Sequence, residues 1–262
     1  MSYETVLYEV GEGVATITLN RPQALNAFNR RMCLEFRDIW ERIKVDSTVG
    51  SIVLRAVPGK AFSVGVDVAE NGGYDTLIYD DLWAKVDPGE LLGPKHNRLW
   101  KPMITAVNGM CAAGAFYWIN ESDIVICSDQ ASFFEPHVSF GLVAALEPIG
   151  LTYRIPLPEV LRMTIMGRDE RISAETALRV SLVTEITAPD ALWSRAHEIA
   201  VRAAAKPRAA MQGSIRAIWE SLDQLRTSAL QTGLKYPLLG NPVGVEEIGM
   251  TAKAAHGRFA TR

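Results

Sequence analysis

The chain has 262 residues, 48% of them hydrophobic and 22% charged, with a net charge of −3 at pH 7. That length allows one large domain or a domain with an appendage, and the slight negative charge argues against nucleic acid or an anionic membrane as partner, since both reward a basic face. Cys33, Cys111 and Cys127 form no CxxC pair, which fits a reducing compartment and offers no metal-ligand spacing.

Residues 5–20, "TVLYEVGEGVATITLN", hold two β-branched, partly alternating runs around "GEG" and predict a hairpin. No basic segment followed by a long apolar run precedes it, and no stretch of the chain has the length and apolarity of a membrane span. A cytoplasmic protein without membrane insertion is therefore expected. Residues 29–44 place Met32, Phe36, Ile39, Trp40 and Ile43 on one stripe of a helix. "SIVLRAV" at 51–57 reads as a strand. The polar, glycine-interrupted stretch 69–98 predicts a mobile flap with some helix near Leu91–Leu99. "PMITAVNG" is the next strand, "MCAAGAFYWINES" a small-residue turn and helix, and "DIVICS" a strand again. Strand, small-residue turn and helix thus recur twice, a weak repeat typical of layered α/β folds. After residue 155 the pattern is helical, through "PEVLRMTIMG", "SAETALRVSLV", "PDALWSRAHEIAVRAAA", a long candidate over 206–232 and a closing segment from 244.

Two turns look chemically useful. "SVGVD" at 63–67 follows a strand, and its glycine frees the backbone to present consecutive N–H groups. "AAGA" at 112–115 follows another strand and opens a helix, whose first N–H groups are unpaired and carry positive dipole potential. Taken singly, each is more often tight packing than an oxyanion site.

The ordered set "ITLNRPQALNAF", "GKAFSVGVDV", "KPMITAVNG", "AAGAF", "SDIVICSDQASF" and "LRMTIMGRDERISAETALRVSLVTEI" resembles the crotonase superfamily, the enoyl-CoA hydratase/isomerase family, over nearly the whole chain. The resemblance implies an α/β fold: a spiral of ββα units over 1–200 and a C-terminal helical oligomerisation region over 201–262. It also implies a homotrimer or a dimer of trimers. The implied substrate is an acyl-CoA thioester, with coenzyme A present only as part of the substrate and no other cofactor or metal. Its carbonyl oxygen would sit between the N–H groups of Val66 and Gly114, two donors that stabilise a developing oxyanion. The valine at 66 is bulkier than the alanine or glycine common there, and narrows the mouth. Gln23, Ala24, Leu25, Ala61, Val64, Asp67 and Val68 would line the CoA channel, with Ala112, Pro136, Phe140 and Gly141 completing the binding surface.

The acid/base positions depart from the family. Where the family's hydratases carry two glutamates, this sequence has Tyr117 and His137. Histidine exchanges protons near neutrality and suits general-base work, whereas tyrosine is better as a donor. Glu135, Glu121 and Glu147 are candidate orienting carboxylates, by proximity in sequence or on a helical face. Trp83, Trp100, Phe116, Tyr117, Trp118, Phe133 and Phe134 suggest a large apolar acyl group. Three readings stand at this point: an acyl-CoA hydratase or isomerase with altered acid/base residues, a C–C bond hydrolase of a β-diketone or cyclic β-keto acyl compound, and a non-catalytic acyl-CoA-binding homologue.

Overall fold

The computed structural model of the chain describes residues 3–70, 83 and 86–251. Residues 71–82, 84 and 85 of the expected flap over 69–98, and the closing segment beyond residue 251, lie outside the described residues. The chain divides into two compact units, Met1–Ala205 and Lys206–Arg262.

The first unit opens with the hairpin, β1 (Val6–Gly11) antiparallel to β2 (Val14–Leu19). Its two turn residues, Glu12 and Gly13, are both left-handed (φ 52° and 77°), the geometry a two-residue hairpin turn demands. Helix α1 (Arg30–Val45) begins where the Asn29 side chain accepts the Met32 N–H, and it buries the expected apolar stripe. Glu35 lies on that same buried face. Its carboxylate accepts the N–H of Glu4 (2.8 Å), the N–H of Thr5 (3.0 Å) and the Thr5 hydroxyl (2.5 Å), and so ties the start of β1 to α1. The Arg31 guanidinium also donates to this carboxylate at 2.9 Å, so replacing Glu35 by leucine leaves four donors without their acceptor. The expected loss is about 3 kcal/mol in the denaturant midpoint analysis.

Three times over, a strand of the main sheet is followed within a few residues by a short strand of a second one. β3 (Ser51–Ala56) is followed by β4 (Ala61–Ser63), β5 (Met103–Val107) by β6 (Met110–Ala112), and β7 (Ile124–Ser128) by β8 (Ser132–Phe134). With β9 (Ile172–Ser173) and β10 (Glu185–Thr187) these give a six-stranded sheet, order β1-β2-β3-β5-β7-β10, and a four-stranded sheet, order β4-β6-β8-β9. Pairing is parallel throughout except β1 with β2 and β8 with β9. The main sheet is covered on both faces, so β2 and β5 are buried along their whole length. One face meets α1 and a core around Phe36, Trp40 and Trp118. The other meets α7 (Leu192–Ala204) through Leu192, Ala196 and Ala200.

Helix α2 (Pro88–Leu92) starts earlier than the expected 91–99 because Asp87 caps it, accepting the Gly89 N–H at 2.8 Å, and Pro88 supplies a preset first turn. It lies directly on α3 (Phe116–Glu121). A Cβ at Gly89 would meet the Tyr117 ring at 2.6 Å, and one at Gly93 the Glu121 carboxylate at 2.1 Å. Helices α4 (Leu146–Leu151), α5 (Leu157–Met166) and α6 (Ala174–Arg179) complete the unit. All three cysteines are free and buried, and burial pushes the Cys33 and Cys127 thiols up to about 12, so they pack rather than react.

In the second unit, the expected single helix over 206–232 is two helices, α8 (Arg208–Ser221) and α9 (Arg226–Gly233). The Ser221 hydroxyl donates to the Ile218 carbonyl at 2.6 Å as α8 ends. α10 (Lys235–Thr251) packs on α8 and carries Pro242 within it. Among the described residues, no helix is long and apolar enough to cross a membrane.

Candidate active site

Two backbone turns meet at one point. Beyond β4 the chain passes Gly65, which is left-handed at φ 89°, and Val66 pairs with Phe28 in a parallel bridge. The Phe28 N–H donates to the Gly65 carbonyl and the Asp67 N–H to the Phe28 carbonyl, both at 2.8 Å. Because alternate backbone groups of an extended segment face opposite ways, the N–H of Val66 faces away from Phe28. Beyond β6 the chain enters a 3-10 turn, Ala113–Ala115, through Ala113 at φ 52°. A left-handed alanine costs on the order of 1–2 kcal/mol, strain that the surrounding packing has to hold. Gly114 is the second residue of this turn, where N–H groups have no intrahelical acceptor. The turns are in contact: a Cβ at Gly65 would stand 2.7 Å from the Gly114 nitrogen, and one at Gly114 would stand 2.7 Å from the Phe28 ring. Only glycine at both positions allows this approach.

These turns form part of the wall of a cavity of about 580 Å³. Phe28, Val64, Val66, Val68, Pro88, Ala113, Gly114, Pro136, Phe140, Leu142, Val143, Ala145 and Leu146 give it a mainly apolar lining, and Asp87, Tyr117, His137 and Glu147 are its polar groups. The 3-10 turn His137–Phe140 presents the histidine. Glu135, fully buried behind it, accepts both the His137 N–H, at 3.1 Å, and a hydrogen bond from Nδ1 of the imidazole. The other Glu135 oxygen, Oε2, is buried with no hydrogen-bond partner. With Nδ1 engaged, Nε2 is left as the basic atom. The Glu135 hydrogen bond raises the His137 pKa above its ordinary value, against burial, which works to lower it.

The Tyr117 hydroxyl donates to Asp87 at 3.0 Å, so the carboxylate that caps α2 also holds the tyrosine. Burial raises the pKa of Tyr117 strongly, with Glu147 and Asp87 adding to the effect, and the phenol stays protonated. Burial likewise raises the pKa values of Asp87 and Glu147. A nitrogen of His137 and carboxylate oxygens of Glu135 and Glu147 all lie within 4.8 Å of one another. These groups are close enough to pass a proton between them, and their oxygen and nitrogen atoms are also donors of the kind a cation takes.

Of the residues singled out in the sequence, Val64, Val66, Val68, Gly114, Tyr117, Pro136, His137, Phe140 and Glu147 line the cavity, with Glu135 directly behind His137. Gln23 and Ala24 lie in the turn Pro22–Ala24 and Leu25 follows it, left-handed at φ 51°. Arg21 pairs with Asp67 at 2.9 Å, which joins that turn to the loop after β4. Ala61 and Ala112 are buried strand residues, and Gly141 ends the turn after His137 at φ 75°. Glu121 belongs elsewhere: it accepts the Lys95 N–H at 2.6 Å and pairs with the ring of His96, so it orients that histidine and not His137. The aromatic expectation also needs correction. Phe116, Trp118 and Phe133 are fully buried in the core, Trp83 is exposed, and Tyr117 is the member of that set lining the cavity. The apolar wall comes instead from Phe28, Phe140 and aliphatic side chains. Asp87 was missed, although "DPGE" is a helix-start signal that could have marked it.

A family model described as enoyl-CoA hydratase/isomerase matches residues 9–239. The chain belongs to the enoyl-CoA hydratase/isomerase family, within the crotonase superfamily. It is 30% identical over 214 residues to an (E)-benzylidenesuccinyl-CoA hydratase of Thauera aromatica, with 81% of each chain covered. Identity is 34% over 202 residues to a probable enoyl-CoA hydratase of Rhizobium meliloti, covering 75% of this chain and 74% of that one. The crystal structure of an enoyl-CoA hydratase/isomerase from Mycobacterium paratuberculosis matches at a TM-score of 0.83 and 36% identity, over 98% of this chain and 94% of that one. The paired sheets and C-terminal helices are thus the architecture of the enoyl-CoA hydratase/isomerase family. The chain is therefore a member of a family of enzymes that act on acyl-CoA.

Proposed function

We propose that this enzyme transforms an acyl-CoA thioester by proton transfer, with the thioester oxygen held by the Val66 and Gly114 N–H groups and His137 acting as general base. The observation that carries this reading is the Glu135–His137 pair set in the wall of an apolar cavity that also contains the two abutting turns. Two preorganised donors, each contributing about 3 kcal/mol, would stabilise the enolate that forms when a base acts beside a thioester. Val64, Val66, Val68 and Phe140 would shape the acyl pocket, and Gln23–Leu25 with Asp67 would flank the CoA entrance. Coenzyme A enters as part of the substrate, and the proposed chemistry calls for no further cofactor. Tyr117 serves as a fixed hydrogen-bonding group in place of a second base, since its proton is held by Asp87.

Hydration and double-bond shift both fit, because each needs one group that takes a proton and one that returns it. The test is turnover of a panel of 2-enoyl-CoA and 3-enoyl-CoA thioesters of increasing acyl bulk. Hydration of a 2-enoyl substrate reads as loss of conjugated absorbance with the mass of one water added, and a 3-to-2 double-bond shift as its gain at unchanged mass. Tight binding without turnover across the panel would overturn the catalytic reading in favour of a scaffold. A histidine paired with a buried carboxylate also suits activation of water for C–C hydrolysis. That alternative separates cleanly, because it predicts cleavage of β-diketones that carry no CoA.

Assembly as a homotrimer or dimer of trimers belongs to the same proposal. In the second unit Leu230, Leu234, Leu238 and Leu239 are each at least 60% exposed, which is apolar surface of the kind that subunit contacts cover. Light scattering on the eluting protein should give three or six times the 28.8 kDa chain mass, and a monomer would remove the assembly claim.

A further inference from the structure

Three carboxyl groups surround His137 and Tyr117, and two of them are committed. Asp87 caps α2 and accepts the Tyr117 hydroxyl, and Glu135 accepts the imidazole Nδ1 from behind. Glu147 is different. It lines the cavity from the first turn of α4, is 7% exposed, and has the Tyr117 hydroxyl and His137 as its polar neighbours.

Its position is set by packing. The Asn120 side chain on α3 donates to the Glu147 carbonyl at 2.9 Å, and a Cβ at Gly150 would stand 2.2 Å from that same Asn120 amide. Helix α4 therefore lies flush on α3, with Glu147 beside Tyr117. A Glu147 oxygen and a His137 nitrogen are within 4.8 Å, about the span of one water hydrogen-bonded to both. With Asp87 and Glu135 close by and apolar walls around them, a third carboxylate charge is poorly tolerated, and burial favours the neutral acid.

We infer that Glu147 is the acid partner of His137, a carboxylic acid that restores a two-group proton-transfer machine from a helix other than α3. The inference rests on the reading of His137 as base. In hydration, His137 Nε2 takes a proton from water as its oxygen bonds to the β-carbon. The π electrons move onto the thioester oxygen, and Glu147 gives its proton to the α-carbon as the carbonyl re-forms. The imidazolium proton then passes to the Glu147 carboxylate, and both groups return to their starting states. In a double-bond shift the base takes a carbon-bound proton instead, and Glu147 returns one at the other end of the dienolate. Since the working state of the pair holds a single proton, turnover follows a bell-shaped pH profile whose limbs belong to the pair.

The test compares the full chain with Glu147→Gln and Glu147→Asp on the best thioester of the panel. Glu147→Gln is isosteric and keeps the carbonyl that Asn120 binds. It should lower kcat about 100-fold or more while KM stays within about threefold, and the limb that falls toward high pH should disappear. Glu147→Asp should recover part of kcat and keep that limb. Independently of any substrate, infrared difference spectra across the pH range should show a protonated-carboxyl C=O band in the unaltered enzyme that Glu147→Gln removes. A Gln variant with full kcat and both limbs, or a spectrum with no such band, overturns the role of Glu147 and leaves the base assignment standing. An unaltered enzyme inert toward every thioester overturns the proposed function and this inference together.

Discussion

His137→Ala is expected to lower kcat on the best acyl-CoA substrate by about 10²–10⁴-fold, the range a positioned general base supplies, with a much smaller change in KM. Among the described residues, the cavity offers no second residue of matching chemistry. Tyr117 is held protonated by burial and donates to Asp87, and burial favours the neutral acid at Glu147. Imidazole added to the alanine variant should restore part of the rate by occupying the vacated space. Turnover at full rate in the alanine variant would remove His137 from the mechanism. The pH dependence sharpens the test. A general base works in its neutral form, so the rate should rise as pH rises through the His137 pKa, which Glu135 holds above the ordinary 6.5. Glu135→Gln removes that support and should move the acidic limb to lower pH. The stability effect has a defined sign. A histidine whose folded-state pKa is raised contributes stability that is fully present below its unfolded pKa and lost as pH rises through the folded one. Glu135→Gln should therefore destabilise the enzyme more below pH 6.5 than at alkaline pH, measured by denaturant midpoints at both ends.

Gly65→Ala is the second substitution with a large expected effect. The added methyl group would stand 2.7 Å from the Gly114 nitrogen and 2.9 Å from the Ala113 Cβ, at a backbone φ of 89° that alanine disfavours. The two turns must separate, which misaligns the Val66 and Gly114 N–H groups relative to a shared oxygen. Loss of such alignment should cost about 10²–10³-fold in kcat, the scale of removing one oxyanion donor. Stability should fall by about 1–3 kcal/mol from strain and the disturbed contact, so thermal unfolding must be recorded beside the kinetics. A variant with kcat within twofold of the unaltered enzyme would show that the two turns do not act on the reacting oxygen.

Much of the framework is legible in the chain itself. The stripe Met32, Phe36, Ile39, Trp40 and Ile43 repeats at helical spacing, and it is buried as one face of α1. The strands β1, β2, β3, β5 and β7 appear as β-branched runs, because five or six residues are enough for composition to register. Three-residue strands are not enough. β4, β6 and β8 look like loop sequence, and they become strands only because each finds a neighbour in a second sheet. The same limit applies to the break between α8 and α9, which helical periodicity alone would carry through.

For the site, the ordered motifs point to His137 and to two backbone donors. The partners of His137 are another matter. Glu135, Glu121 and Glu147 are comparable candidates by spacing, but they diverge in space. Glu135 turns inward behind the imidazole, Glu147 faces the cavity, and Glu121 closes over Gly93 to hold the Lys95–His96 backbone. Asp87 reaches Tyr117 across thirty residues, and no periodicity encodes that contact. Periodic burial and turn chemistry are properties of neighbours in sequence, so one chain read alone determines them. The direction in which a carboxyl points, and the water it loses there, depends on which helix packs against which, and only the tertiary structure decides that.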